Sequence, residues 1–302
     1  MNSYLSVRLP LLSLLLVLAA CGQKPESPPE ISADAQAAPV VEPAAKEIRH
    51  LGADAWPVAS NPIARDSEIE KKVDELLAQM SLEEKVGQIM QGELREVTPK
   101  DVRKYHLGSI LNGGGSFPNQ DKFATPEDWL ELADVFYDAS MDTSDGKVAI
   151  PVIWGTDAVH GHSNVIGATV FPHHIGLGAM NNPARVREIG SATAREILAT
   201  GIDWTFAPTV AVTQDDRWGR SYESYSEDPA LVKAYAREMV YGLQGVPGTP
   251  GFLDSRHVLA TAKHYLGDGG TEGGDDQGNT KVSEEELRDI HAPGYVGAIE
   301  AG

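Results

Sequence analysis

An alternation of short apolar runs with amphipathic stretches that carry their own start signals constrains this fold most. Residues 107–111, 148–155, 202–206 and 257–265 are compact, apolar and bounded by Gly or Pro. Runs without a period of two mark strands buried on both faces, as in a parallel sheet. Thr125-Pro126, Asn182-Pro183 and Asp228-Pro229 each set a capping side chain before a proline. Proline at the first helical position sacrifices no intrahelical bond and its φ is already helical, so each pair predicts a helix start. Asp66 or Ser67 opens a further helix with Ile69, Val73, Leu76, Leu77 and Met80 on one face. Ser283 and Glu286 form a capping box for a helical stretch over 283–301 that stops at Gly302.

Strand starts about forty to fifty-five residues apart predict an α/β fold, either a βα barrel or an open doubly wound sheet. Neither a Gly-x-Gly-x-x-Gly nor a Gly-x-x-x-x-Gly-Lys-Ser/Thr motif is present, so a nucleotide-binding sheet has no support. Charged residues gather just after the strands: Asp157, then Arg217 and Arg220, then Lys263 and His264. In a (β/α)8 barrel these ends share one mouth, so that fold is expected.

Lys and Arg number 25 against 44 Asp and Glu, a formal charge of −19, which argues against nucleic acid or any polyanion as the main partner. The single cysteine, Cys21, excludes an intramolecular disulfide and a Cys-based zinc site. It follows an apolar run over 9–20, shorter than the ~20 residues a spanning helix needs and suited to a signal peptide. Leu18-Ala19-Ala20-Cys21 resembles a bacterial lipobox, with an ordinary signal peptide as the alternative; Gly22, rather than Asp, implies the outer membrane of a Gram-negative cell. Residues 22–65 are rich in Pro, Ala and Glu and suit a semi-extended tether. The expected division is a signal peptide over 1–20, a lipid-anchored tether over 21–65 and a barrel domain over 66–302, in an exported protein of the periplasm or cell surface.

Asp157, His160 and His162 fall within six residues at a strand end. The two histidines suit a metal, with His173, His174 or His264 as further ligands; Asp157 suits a neutral polyhydroxyl ligand, since a carboxylate accepts from two adjacent hydroxyls; or the histidines simply tie down a loop. The stretch 215–228 combines Arg217, Arg220, Trp218, Tyr222 and Tyr225, and a sugar pocket wants flat rings beside forked donors. Lys263 and His264 emerge from an apolar run, where a lysine needs a partner or a ligand. The following loop, 267–276, is Gly-rich but acidic, which would repel phosphate.

Together these motifs resemble glycoside hydrolase family 3. They are Thr156-Asp157-Ala158-Val159-His160-Gly161-His162, the run from Val165 to His173, Asp216-Arg217-Trp218-Gly219-Arg220-Ser221-Tyr222-Glu223-Ser224-Tyr225-Ser226-Glu227-Asp228, and Ala262-Lys263-His264-Tyr265-Leu266-Gly267-Asp268-Gly269-Gly270-Thr271. The branch is that of the β-glucosidases and exo-β-glucanases. The resemblance implies a cofactor-free enzyme that takes a β-glucoside or β-glucan oligosaccharide. Asp157 would accept hydrogen bonds from the terminal sugar, and Arg220, Lys263 and His264 would donate to it. The N-acetylhexosaminidase branch carries a catalytic His in the loop after Lys-His; here Asp268 follows Gly267, which favours a glucosidase.

The family's nucleophile lies in a Ser-Asp-Trp type motif, which this chain lacks. The expectation is an incomplete barrel with about five of eight βα units, no catalytic carboxyl of its own, and a missing C-terminal domain of the same chain. Two other functions remain as alternatives: a metal-dependent barrel hydrolase using His160 and His162, and a non-catalytic sugar-binding lipoprotein.

Overall fold

The computed structural model describes residues 50–302. The signal peptide over 1–20, Cys21 and the tether up to residue 49 lie outside the described residues. Residues 50–57, assigned to the tether by composition, are fixed in part: Glu284 accepts from the Leu51 backbone (2.6 Å) and from the Trp56 indole (2.8 Å).

The architecture is α/β with a parallel sheet. Strands β1 (Gln91–Glu93), β2 (Ser109–Asn112), β3 (Ile153–Thr156) and β4 (Trp204–Thr205) pair in sequence order, all parallel, with Ser109 opposite Ile153 and Gly155 opposite Trp204. The predicted run 257–265 is not a continuous strand. It lies parallel to β4 and the residues after it through bridges at Trp204–Leu259 and Thr209–Lys263, and the Ala260 N–H is taken by the Gln244 side chain. The 148–155 run is strand only near its end, because Glu84 and Ser140 side chains take the Val148 and Val152 N–H groups.

The helices start where their caps predict. Helix α1 (Ser67–Gln79) is capped by Asp66, which accepts from the Glu68 and Ile69 amides, and α2 (Leu82–Gln88) and α3 (Pro99–Tyr105) follow with capping boxes. Helix α4 (Pro126–Met141) buries Trp129 and Phe136 seven residues apart, two turns along one face. After α5 (His174–Met180), helix α6 (Pro183–Leu198) buries Val186, Ile189, Ala194 and Ile197, and α7 (Pro229–Gln244) buries Val232, Tyr235, Ala236, Met239, Val240 and Leu243. These two helices cross at Gly190 and Gly242, where a Cβ on either would meet the other's Cα at about 3 Å.

Two expectations about helices are corrected. The apolar stripe of α1 is exposed at Ile69, Val73 and Leu77, and only at its C-terminal end does Leu76 become half-buried and Met80 buried. The 283–301 stretch is not one α-helix. Its capping box forms and α8 (Glu284–Glu286) begins, but Leu287–His291 widens to a π turn, with the Ala292 N–H reaching the Leu287 carbonyl (3.1 Å). Pro293, which has no N–H for the preceding turn, then starts α9 (Pro293–Ile299).

Candidate active site

The C-terminal ends of the parallel strands bring the predicted residues together. Asp157 directly follows β3, Lys263 ends the extended segment beside β4, and Arg220 precedes a short 3-10 turn, Ser221–Glu223, in the loop after β4. Lys263 Nζ donates to Asp157 Oδ1 at 2.6 Å, with the Lys side chain 14% and the Asp side chain 39% exposed. The pair answers the lysine's need for a partner, yet it is open enough for both groups to touch a ligand.

Arg220 makes a second ion pair that the motif alone did not assign. Its Nε and Nη2 donate to the two carboxylate oxygens of Glu223, each at 2.8 Å. Burial pushes the Glu223 carboxyl up, but the Arg220 guanidinium, with Lys263 and His264 beyond it, holds it below its ordinary value. Arg220 Nη2 also lies 3.3 Å from His264 Nε2, while His264 Nδ1 meets Asp268 Oδ2 at 2.7 Å. The result is an alternating series Asp157, Lys263, Glu223, Arg220, His264, Asp268. Beside it lies a cavity of about 320 Å³, in the ~300–1,000 Å³ range of ligand pockets, whose walls include Arg220, His264, Tyr265, Asp268 and Gln277. Asp157 and Lys263 do not line it.

His174 was offered by the sequence only as a candidate ligand, but it has a structural task. Fully buried at the start of α5, it places Nδ1 2.6 Å from the Glu223 carbonyl and Nε2 3.1 Å from the Val159 carbonyl. One ring thus ties the loop after Asp157 to the loop that carries Arg220. Its face stacks on Tyr225 at 4.1 Å between centroids. No spacing rule finds such a residue, since its partners lie 15 and 49 positions away.

Several predicted residues fall elsewhere. Arg217 is largely exposed and forks onto Asp215. Trp218 and Tyr225 are core residues, 2% exposed, rather than flat surface for a sugar; the Trp218 indole donates to Asp276 at 2.8 Å, and only Tyr222 of that aromatic set is open. His160 and His162 do not converge as metal ligands. His160 Nδ1 donates to the Phe171 carbonyl (2.8 Å) and its ring stacks on His173, whereas His162 is buried against Trp129 and Thr200. Among the described residues no group of three or more His, Cys, Asp or Glu is placed to hold a metal.

The environment of His162 fixes its protonation. Thr200 Oγ1 gives its hydrogen to the Ile197 carbonyl (2.6 Å) and so accepts from His162 Nε2–H (2.9 Å), which leaves Nδ1 buried with a lone pair and no partner. Burial lowers its pKa from the ordinary 6.5 to about 4. Between these values the unfolded chain binds the extra proton and the folded one does not, so stability declines as pH falls from 6.5 to about 4. A loss on the order of 3 kcal/mol is expected across this window. His162→Gln, which keeps a donor for Thr200 but does not titrate, should flatten the decline; identical slopes in thermal unfolding from pH 7 to 4 would refute the assignment.

Comparison with known proteins bears on the whole arrangement. Residues 81–302 match the model of the glycosyl hydrolase family 3 N-terminal domain. The chain is similar to an exo-1,3/1,4-β-glucanase of a Pseudoalteromonas species, with 54% identity and a TM-score of 0.79 over 82% of this chain and 31% of that one. It is 30% identical to a lysosomal β-glucosidase of Dictyostelium discoideum over 75% of this chain and 29% of that protein. A mutant β-glucosidase of Listeria innocua, solved in complex with laminaribiose, is 27% identical with a TM-score of 0.61 over 77% of this chain and 32% of that one. The chain therefore spans under a third of the length of these relatives. With the family model covering most of its described residues and its ion-paired site at the ends of a parallel sheet, the chain belongs to glycosyl hydrolase family 3.

Proposed function

We propose that the chain is the N-terminal portion of an exo-acting, retaining β-glucosidase that removes terminal glucosyl residues from β-glucosides or β-glucan oligosaccharides. The observation that carries this reading is the alternating series from Asp157 to Asp268. Acceptors and forked or rotatable donors set side by side, with Asp157 and Glu223 each paired to a cation, suit a neutral polyhydroxyl ligand better than an ion. The laminaribiose complex of the Listeria relative supports the substrate class. We read the parallel sheet as part of a (β/α)8 barrel with about five units.

Retaining hydrolysis needs two carboxyls ~5–5.5 Å apart, one nucleophile and one acid/base. Asp157 and Glu223 are each already paired with a cation, at 2.6 and 2.8 Å, so neither stands ready for either role. Both catalytic carboxyls are proposed to come from residues other than these, and Asp157, Arg220, Lys263 and His264 to hold the terminal sugar while it distorts toward an oxocarbenium-like state.

The product of the complete gene is expected to cleave an aryl β-glucoside in the presence of a chelator, and residues 1–302 alone are expected not to. In the complete product, Asp157→Asn or Lys263→Ala should lower kcat/KM at least about tenfold, equivalent to ~1.4 kcal/mol of transition-state stabilisation. Cleavage by the 302-residue chain, or unchanged kinetics in both variants, would sink this assignment. Export with a lipid on Cys21 is proposed from the lipobox alone, and its measure is recovery in the membrane fraction that disappears in Cys21→Ala.

A further inference from the structure

The segment before α1 builds a second cavity, apart from the one beside Arg220. It measures about 420 Å³, and its walls include Trp56, Lys233 of α7, Arg288 and Asp289 of the π turn, and Val296 of α9. None of these residues lines the cavity beside Arg220. Trp56 is fixed by its edge: the indole N–H donates to one oxygen of Glu284 (2.8 Å), while the other oxygen accepts from the Leu51 amide (2.6 Å). The ring is only half-buried and forms part of the wall. With its one donor used at the edge, what it offers a ligand is a flat, electron-rich surface, which suits the weakly positive C–H face of a pyranose.

The polar side of the wall has hydrogen-bonding capacity to spare. Arg288 donates through Nε to Asp289 Oδ1 (2.6 Å) and through Nη2 to Oδ2 (2.8 Å), and its Nη1 lies 3.5 Å from the Ala55 carbonyl. A guanidinium has five N–H groups, of which these contacts use three and leave two. Each Asp289 oxygen has taken one hydrogen and can accept another, and that side chain is 61% exposed. Lys233 directs one of its three N–H groups at Glu300 (3.3 Å), a carboxylate it shares with Arg237 (2.8 Å). An anion entering here would meet a carboxylate beside each cation, whereas an uncharged ligand rich in hydroxyls finds both donors and acceptors.

We propose that this groove is a second sugar-binding site, which holds a β-glucan chain by stacking one pyranose ring on Trp56 while Arg288, Asp289 and Lys233 bond its hydroxyls. The class of ligand rests on the glucosidase reading above. Glu284, which holds Trp56, begins α8, and α8 follows directly on the loop whose Gln277 and Thr280 wall the cavity beside Arg220. A polymer held in the groove raises the local concentration of chain ends at that cavity, and a substrate too short to reach both gains nothing.

The test sets a polymer against a short substrate in the product of the complete gene. Trp56→Ala should raise KM for laminarin about fivefold at constant kcat and leave an aryl β-glucoside unaffected. Trp56→Phe loses the bond to Glu284 but keeps a flat ring, so it should stay within about twofold of the parent on laminarin. Migration through a gel that contains laminarin reads binding without cleavage. The parent should be retarded, Trp56→Ala much less so, and Asp157→Asn, altered only at the other site, as much as the parent.

Parental KM and parental migration in Trp56→Ala would overturn the proposal. So would a Trp56→Phe defect as large as that of Trp56→Ala, which would assign the effect to the bond with Glu284 and not to the ring's surface, or an equal loss on the aryl glucoside, the mark of a merely structural strap. If no β-glucoside is cleaved at all, the glucosidase reading fails, and migration alone decides the groove: retardation that disappears in Trp56→Ala upholds it, and equal migration overturns it.

Discussion

Arg220→Met is expected to destabilise the folded chain by about 3–5 kcal/mol at neutral pH, the usual consequence of leaving one member of a buried pair alone. The Glu223 side chain is only 10% exposed, and both of its oxygens rest on the one guanidinium. In the parent its pKa is depressed, so the pair's stabilisation is present above the ordinary carboxylate value of 4.5 and is lost as pH falls through the lower folded value. In Arg220→Met only the more distant Lys263 and His264 oppose burial, so that pKa rises, and the defect should be largest at neutral pH and shrink on acidification. Adding Glu223→Gln should recover most of the stability, since the uncharged pair no longer buries a lone carboxylate, and, on the proposed reading, none of the activity of the complete gene product, since the guanidinium is gone. Urea unfolding at pH 7 and pH 4 measures both effects. A loss below about 1 kcal/mol at pH 7 would place the pair among surface ion pairs of little consequence.

Gly178→Ala should be nearly as damaging, although alanine in a helix normally gains ~1 kcal/mol over glycine. A Cβ at position 178 would lie 1.6 Å from the Tyr225 carbonyl oxygen and 2.7 Å from its carbon, so backbone, not a yielding side chain, has to move. The missing Cβ lets α5 press against residue 225, and that approach brings His174 within reach of the Glu223 carbonyl. A loss of about 3 kcal/mol or more is expected, at the upper end of overpacking costs. Gly176→Ala is the internal control. Two residues away in the same helix, its Cβ would meet only Pro172 Cβ at 3.3 Å, so it should be neutral or slightly stabilising. Equal shifts in the two unfolding midpoints would contradict the steric account.

Helix starts were the most legible part of the fold because a cap and a following proline act through neighbouring atoms alone; Thr125, Asn182 and Asp228 each accept from the backbone as predicted. Strand β1 was missed because Gln91, Gly92 and Glu93 carry no apolar run, the signal by which the other strands were read. The 148–155 run was overestimated because an apolar pattern says nothing about whether a side chain, here Glu84 or Ser140, will claim the backbone amides.

At the site the same divide appears. Asp157, Arg220, Lys263 and His264 were found by motif, but that Lys263 meets Asp157 across 106 positions is a property of the folded sheet. Glu223 stood inside the motif from Asp216 to Asp228 with a usable signal, three residues after Arg220 in a tight turn. Trp218 and Tyr225 were misassigned because an aromatic ring beside charges suits a buried anchor as well as a sugar platform.

The pairing of Lys263 with Asp157 and of Arg220 with Glu223 has a consequence for how the site meets its solution. Within a molecule with a formal charge of −19, these four groups cancel one another in two pairs, so a ligand that meets them meets no unpaired charge among them. A neutral ligand arriving there displaces no ionic atmosphere. Ionic strength, which governs approach to a site of one sign within a Debye length of about 8–10 Å, has almost no purchase on recognition of this kind.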